Sequence, residues 1–348
     1  MEMSGVYDAF VLVSFGGPEG PDDVLPFLRN VTAGRGVPEE RLAEVAQHYL
    51  RFGGVSPINA QCRALLEAVQ ERFAADGPDL PLYWGNRNWH PFLADTVARM
   101  RDDGITRALA FVTSPFGSYS SCRQYQDDIA AAREAVGAGA PVIDKIRHYH
   151  DHPGYIEPHR DAVRAALEKL PSREGGTRLV FTAHSIPTVM AEQSGAGTAG
   201  VGGRYEAQLR EVAGLVSGGL PWDLVWQSRS GSPHVPWLGP DINEHLEALA
   251  TSGTTGVVVS PIGFVSDHLE VVWDLDTEAA DTAARLGMDF VRAATPGTDA
   301  RFVGMVRDLV VERLDPGHPR AALGTLPTWD FCTAGCCPGA RQRPVTVA

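Results

Sequence analysis

Seven short apolar runs, each followed by an amphipathic stretch, constrain this chain more than any other feature. They are AFVLVSF (9–15), LYWGN (82–86), RALAFVTSP (107–115), RLVFTAHS (178–185), DLVWQSR (223–229), GVVVSPI (256–262) and DFVRAA (289–294). Their hydrophobicity is continuous rather than alternating, which suits parallel strands covered on both faces. Helix-like patterns such as CRALLEAVQERFAA, QLREVAGLVSG and DINEHLEALATSG lie between them. The repeated strand-helix order is that of an α/β protein. A single core rarely grows to 348 residues, so two doubly wound, Rossmann-like domains with parallel sheets are expected. The turn-rich PSREGG (171–176) divides the chain into units 1–172 and 173–325, with a cysteine-containing tail at 326–348.

Charge narrows the partners. With 30 Lys and Arg against 43 Asp and Glu, the chain carries a formal charge of −13 and lacks the dense basic surface that phosphate-backbone binding requires. Nucleic acid is therefore not an expected partner. No window reaches the ~18 consecutive apolar residues of a membrane helix. The first residues, MEMSGVYDAFVLVSF, carry acids rather than a basic leader region and read as mature sequence. A cytoplasmic monomer without membrane insertion, its thiols reduced, is the expectation.

Several attractive motifs fail on context. GAGTAG (195–200) follows the helix-like PTVMAEQS rather than a strand, so it reads as a flexible loop and not a dinucleotide fingerprint. HYHDH (148–152) alternates three histidines, but DHPGY signals a strand end and turn, and no cysteine flanks it. Exposed polar histidines are expected there rather than a zinc site. FGGPEGPDD (15–23) reads as a tight turn with acids entering a helix N-terminus.

In doubly wound sheets, ligands gather beyond the carboxyl ends of the strands. TAHSIP delivers His184 to such an end, and Pro187 forces the chain out of regular structure. An imidazole there accepts protons near neutral pH or binds a metal, the alternative being a core or capping histidine. SPIGFVSDHLEVVWDLDTE leaves its strand at Pro261, is capped by Ser266 or Asp267, and continues as a helix. Glu270, Asp274 and Glu278, spaced i, i+4 and i+8, stack on one helical face. A solvated acidic face is the usual reading of such a run. The interleaved Val271, Val272 and Trp273 instead turn one end of the ladder into a cleft, where hard oxygen ligands suit the passage of a divalent cation. A third stretch, DLVWQSRSGSPHVPWLGPDI, places Trp226 and Trp237 either as flat walls for a large planar ligand or in the core.

Taken in order, TAHSIP, WQSRSG, PWLGPDI and GFVSDHLEVVWDLD resemble the signature stretches of the ferrochelatases, which insert ferrous iron into porphyrins. LVSFGGP (12–18), GGVSPIN (53–59) and HPFLADTVARM (90–100) extend the resemblance over roughly residues 8–315. It implies a chelatase-like fold, an inner metal site at His184 and Glu270, and the outer part of a metal path at Asp274 and Glu278. Porphyrin contacts are implied at Ser56, Tyr125, Tyr49 and Phe15. Many relatives carry tyrosine in place of Phe15, so here the macrocycle meets an apolar ring on that face rather than a hydroxyl ligand. Iron enters only when two pyrrole N–H protons leave, so the pocket requires a base. His184 and Glu270 both qualify, and which is base and which is ligand stays open. Bending the macrocycle toward the metal draws on about 1–5 kcal/mol of binding energy.

Protoporphyrin-using members that associate with membranes carry an apolar lip before GGxSP. The corresponding GRGVPEERLAEVAQHYLRF (34–52) is too polar for membrane burial. That favours coproporphyrin III, with four propionates, over protoporphyrin IX, and Arg35, Arg41, Arg51 and Arg63 are candidate carboxylate partners. Two other readings are a chelatase for a different metal or tetrapyrrole, and a non-catalytic haem or iron carrier on the same fold.

Three of the five cysteines fall within residues 332–337. Adjacent Cys336 and Cys337 close only a strained disulfide, and thiolates hold soft metals too tightly for transit. The resemblance implies a structural two-iron, two-sulfur cluster on Cys122, Cys332, Cys336 and Cys337. The C-x-x-x-C-C spacing departs from the animal pattern, and a structural zinc is the competing reading. Cys62 is expected as a small buried apolar residue.

Overall fold

The computed structural model describes residues 7–34, 36–171, 176–196, 202–231, 234–333 and 335–339. Arg35, the expected boundary at 172/173, most of the glycine run at 195–200 and the tail beyond residue 339 lie outside the described residues.

Among the described residues, eight strands form two parallel sheets of four. The first contains β1 (Ala9–Ser14), β2 (Leu82–Asn86), β3 (Arg107–Val112) and β4 (Val142–Lys145), in the order β2-β1-β3-β4. The second contains β5 (Thr177–His184), β6 (Trp222–Gln227), β7 (Gly256–Ser260) and β8 (Asp289–Arg292), in the equivalent order β6-β5-β7-β8. The expected doubly wound α/β architecture is present twice. Seven strands fall on the apolar runs. β4 does not, because a short edge strand with no buried residue carries no continuous hydrophobic signal.

Each sheet divides its side chains between two cores, as the two-residue period of a strand requires. In β1, Phe10 and Leu12 enter one core, and Ala9, Val11 and Val13 enter another. In β5, Leu179, Phe181 and Ala183 enter the same core as Phe10, whereas Val180 faces away. One apolar core is therefore shared by both sheets. The helices Ile58–Asp76, Pro153–Leu167, Arg204–Ser217 and Ala300–Leu314 contribute to it, with Tyr155, Leu209 and Phe302 among their buried residues. Burying each such large side chain stabilises the fold by roughly 1.5–3 kcal/mol. The last helix ties the halves further, packing on both Pro153–Leu167 and Ile58–Asp76, where Arg307 donates to the Asp76 carbonyl at 3.0 Å.

With this strand order, the chain reverses direction across the sheet between β1 and β3 and again between β5 and β7. These are the crevices where ligands of doubly wound sheets bind. Among the described residues, no helix is long and apolar enough to cross a membrane.

The histidine run departs from expectation. His148, His150 and His152 are 7%, 0% and 4% exposed, not surface residues. The turn itself is present, with His152 capping the helix at Pro153 as its Nδ1 accepts from the Gly154 N–H at 3.0 Å. The intervening Tyr149 stacks on Phe111 at 4.8 Å and draws the segment into the shared core. Residues 321–327 then cover it from far along the chain, through Leu323 N–H donating to the Asp151 carbonyl at 2.8 Å.

Candidate active site

His184 is the last residue of β5, at the second crevice. Its backbone carbonyl accepts from the Tyr205 hydroxyl at 2.9 Å, which fixes the strand end. Its Nδ1 lies against the Ser185 carbonyl at 2.5 Å. A carbonyl only accepts, so Nδ1 carries the hydrogen and, in the neutral ring, Nε2 carries the lone pair. Nε2 stands 3.8 Å from the Glu270 carboxylate.

Glu270 reaches this position by a tight crossing. The loop after β7 passes directly over β5, with Gly263 N–H donating to the Thr182 carbonyl at 3.1 Å. A Cβ at Gly263 would lie 2.6 Å from that of Ala183, so only glycine permits the approach. The helix Leu269–Trp273 then starts without the expected cap. Asp267 is drawn instead into an ion pair with Arg292 at 3.0 Å, and His268 occupies the N-cap position with no side-chain cap. Ser56, from the other half of the molecule, accepts from the Leu269 N–H at 3.3 Å.

The acid ladder is not the regular α-helix expected from its spacing. Asp274–Ala279 forms a π-helix, in which i→i+5 bonds widen the turn. Asp274 faces Glu270. Glu278 is exposed, and one of its oxygens accepts from Trp273 Nε1 at 2.8 Å. Water reaches 40% of the Glu270 side chain, yet protein atoms surround it, as in a narrow cleft. That desolvation raises Glu270 to about 7. Asp274 is likewise raised to about 7, by desolvation and then by Glu270. A Ser228 hydroxyl donates to Asp274 and opposes the rise, and Gln227 Nε2 donates to the same oxygen at 3.4 Å. Ser228 holds a left-handed backbone, φ 62°, unusual for a side chain with a Cβ.

Of the residues singled out in the sequence, His184, Glu270, Asp274, Ser56 and Tyr49 converge. The phenol of Tyr49 is pushed up by burial and by facing Glu270 and Asp274. Its ring packs on Phe27 at 5.9 Å, and Phe27 meets Phe15 at 6.2 Å. Tyr125 sits deeper, buried with Ile129, and the Arg87 guanidinium lies over both its ring (4.5 Å) and that of Phe15 (5.6 Å). Trp226 is core, stacked with Tyr205, whereas Trp237 is half-buried in the loop beyond it. Arg41 and Arg63 pair with Glu44 and Glu19, and Arg51 lies 5.4 Å over Trp273.

The sequence reading missed Ser228, His268 and the contact between His48 and Trp273. His268 is pushed down to about 3 by burial and by the neighbouring His184, so it stays neutral. His48 stacks on Trp273 at 3.9 Å, bringing the helix Glu39–Arg51 against the cleft. Ser228 directly follows the last residue of β6, which marks its position as a strand end but not the direction of its hydroxyl.

The four cysteines of the expected cluster also come together. Cys122 lies buried in a short π-helix, Tyr119–Arg123, and its thiol is held well below the usual range, first by hydrogen bonding with Cys332. Cys336 and Cys337 are buried with sulfurs 3.7 Å apart, and Cys337 accepts from the Gly195 N–H at 3.1 Å. Cys62 is apart from them, buried in the shared core.

Comparison with known proteins bears on the family to which the chain belongs. A profile described as ferrochelatase matches residues 7–314. A Nocardia farcinica protein named coproporphyrin III ferrochelatase is 56% identical over 348 residues, covering 97% of this chain and 98% of its own. One of the same name from Streptomyces griseus is 53% identical, covering 97% and 95%. A Rhodopirellula baltica protein named ferrochelatase is 50% identical, covering 97% and 95%. Among solved structures, SirB from Bacillus subtilis with Fe3+ matches at TM-score 0.51 and 11% identity, covering 88% of this chain and 96% of that one, a likeness of fold alone. From the strand-end residues to the near full-length relatives, the observations place this chain in the ferrochelatase family.

Proposed function

We propose that this chain inserts ferrous iron into coproporphyrin III, releasing the two pyrrole N–H protons as the metal binds. The observation that carries the reading is the pairing of His184 Nε2 with Glu270 across 3.8 Å at the carboxyl end of β5. In this reading Glu270, raised to about 7, accepts pyrrole protons near neutral pH, and His184 offers its Nε2 lone pair to the metal. Asp274 and Glu278 lead hydrated iron inward. Ser56, Tyr49, Phe15 and Tyr125 belong to the porphyrin wall. Coproporphyrin III is supported by the names of the relatives and by the start of Glu39–Arg51, where exposed Glu39 and Glu40 make the segment too polar for the membrane lip of protoporphyrin-using members. The test is anaerobic mixing with ferrous iron and either coproporphyrin III or protoporphyrin IX, followed by porphyrin absorbance. Insertion at least tenfold faster into coproporphyrin III is expected. Equal or reversed rates would remove the substrate assignment, and binding without insertion would make the chain a carrier.

The tail cysteines fit a two-iron, two-sulfur cluster better than a single zinc. Around one tetrahedral zinc with bonds near 2.3 Å, every pair of sulfurs lies about 3.8 Å apart. Here the sulfurs form two close pairs, Cys122 with Cys332 and Cys336 with Cys337. Among the described residues, the three-ligand groups with atoms all within 4.8 Å of one another do not include these sulfurs. Two thiolates on each of two irons match that pairing. When bound, the cluster would supply a covalent link between tail and core, and no step of the insertion runs through it. Two irons and two acid-labile sulfides per chain are expected, and zinc alone would refute the assignment.

A further inference from the structure

A second group of ligand atoms lies where residues 321–327 cross the buried histidine run. His150 (0% exposed) and Asp151 (2%) face Glu211 of the helix Arg204–Ser217. One ligand atom from each lies within 4.8 Å of the other two. His150 Nε2 is 3.3 Å from Glu211 Oε2, and Asp151 Oδ1 is 3.6 Å from Arg147 Nη1. The Arg147 approach is too long for a hydrogen bond, and His150 Nε2 meets Glu211 Oε2 as an ion-pair contact. Both nitrogens of His150, Asp151 Oδ1 and Glu211 Oε2 are buried without a hydrogen-bond partner. Buried polar atoms are ordinarily paired, and four such atoms gathered in one place mark a position suited to an occupant.

The segment above is fitted to this group. Glu211 turns its other oxygen, Oε1, outward to accept from Thr325 N–H at 2.6 Å, the Thr325 hydroxyl at 3.1 Å and Leu326 N–H at 3.1 Å. Gly324 passes so close that a Cβ there would lie 2.3 Å from Glu211 Oε2 and 2.9 Å from the Asp151 Cβ. One oxygen holds the strap, and the other lies beneath Gly324 beside His150.

We infer that His150, Asp151 and Glu211 bind a divalent cation of the zinc, manganese or ferrous class beneath this strap. One imidazole nitrogen and two carboxylate oxygens are a donor set for borderline ions, and the imidazole disfavours calcium or magnesium. Arg147 is the cation nearest Asp151, but its hydrogen bonds to Glu312 at 2.7 and 2.9 Å hold it 3.6 Å from the Asp151 carboxylate. Arg204 faces Glu211 too, with one nitrogen committed to the Pro327 carbonyl. The site is closed by the strap and separate from the cleft, so its ion holds structure and is not iron in transit. The strap runs on to Cys332, and the ion thereby sets how the tail approaches Cys122.

The test uses a His184→Ala/Glu270→Gln parent, in which the cleft no longer competes for metal. The protein as isolated is equilibrated with manganese or zinc, desalted and analysed by mass spectrometry. One equivalent of added metal is expected. Glu211→Gln, which keeps the oxygen acceptor for the strap, and His150→Gln should each lose it while preserving circular dichroism and cysteine-site absorbance. Added metal should raise the thermal midpoint of the parent and not of these variants. No bound equivalent in the parent, or one retained in both variants, would overturn the inference and assign the space to ordered water. Because the loss is read against the parent, the result stands whatever the cysteines hold.

Discussion

The cleft and the clasp formed by Cys122, Cys332, Cys336 and Cys337 both gather groups suited to iron, and they differ in donor type and in access to water. In the cleft, Glu270 and Asp274 are hard oxygens; desolvation raises Glu270 to about 7, and desolvation followed by the charge of Glu270 raises Asp274 to about 7. In the clasp, the soft sulfurs of Cys336 and Cys337 are buried side by side, and burial pushes the Cys337 thiol up to about 12. A site whose ligands are poised between protonated and charged states can exchange a metal for protons near neutral pH. A site of buried thiols gains its stability only when a metal neutralises it and then releases that metal slowly. Under the proposed function, transit and retention are thus separated by donor type and by access to water.

The comparison breaks most readily at the cleft. His184→Ala or Glu270→Ala should lower kcat/KM by about 1,000-fold while leaving the cysteine-site absorbance intact, a loss in the range for removing a positioned base. Turnover unchanged in both variants would dissolve the site. On the other side, Cys336→Ala should cost on the order of 4 kcal/mol in chemical unfolding, the class of effect expected for losing a bound metal centre. Its turnover per folded molecule should change far less. If that turnover fell as far as in His184→Ala, the clasp would be part of the reaction and the distinction would fail.

Two smaller effects sharpen the contrast. Ser228→Ala removes a hydrogen bond to a carboxylate worth about 2 kcal/mol. Asp274 should then titrate higher, and the KM for ferrous iron at pH 7 should rise roughly tenfold and recover at higher pH. An unshifted pH profile would contradict this role. The smallest effect concerns stability. Glu270 is raised to about 7 from the ordinary 4.5 of a glutamate, so between those pH values the folded chain binds more protons than the unfolded one. Stability should fall as pH rises through that window, with the penalty complete above it. Glu270→Gln should recover about 1 kcal/mol at pH 8, well below the full linkage value because water reaches the side chain. Denaturation curves that coincide at pH 8 would show that the carboxylate is not desolvated.

Much of the fold was legible because its signals are local. The continuous apolar runs became strands, and the strand-end rule led to His184 without any contact being known. The same logic failed at β4, whose four residues carry no apolar run. The histidines of HYHDH were misread as exposed because a turn motif reveals the path of the backbone and not what is laid over it. Ser228 was overlooked because its left-handed backbone, which aims the hydroxyl at Asp274, leaves no mark in composition.

What the amino-acid sequence determined by itself was the alternation of strand and helix, the residues delivered to strand ends, and the supply of thiols in the tail. Those depend on backbone periodicity and side-chain chemistry within a few residues. Only the tertiary structure decided that Ser56 meets Leu269 across 213 residues of chain, that the ladder widens into a π-helix, and that desolvation raises its acids. Burial and electrostatic coupling fall off with distance in space, and a linear pattern carries no record of which distant segments share that space.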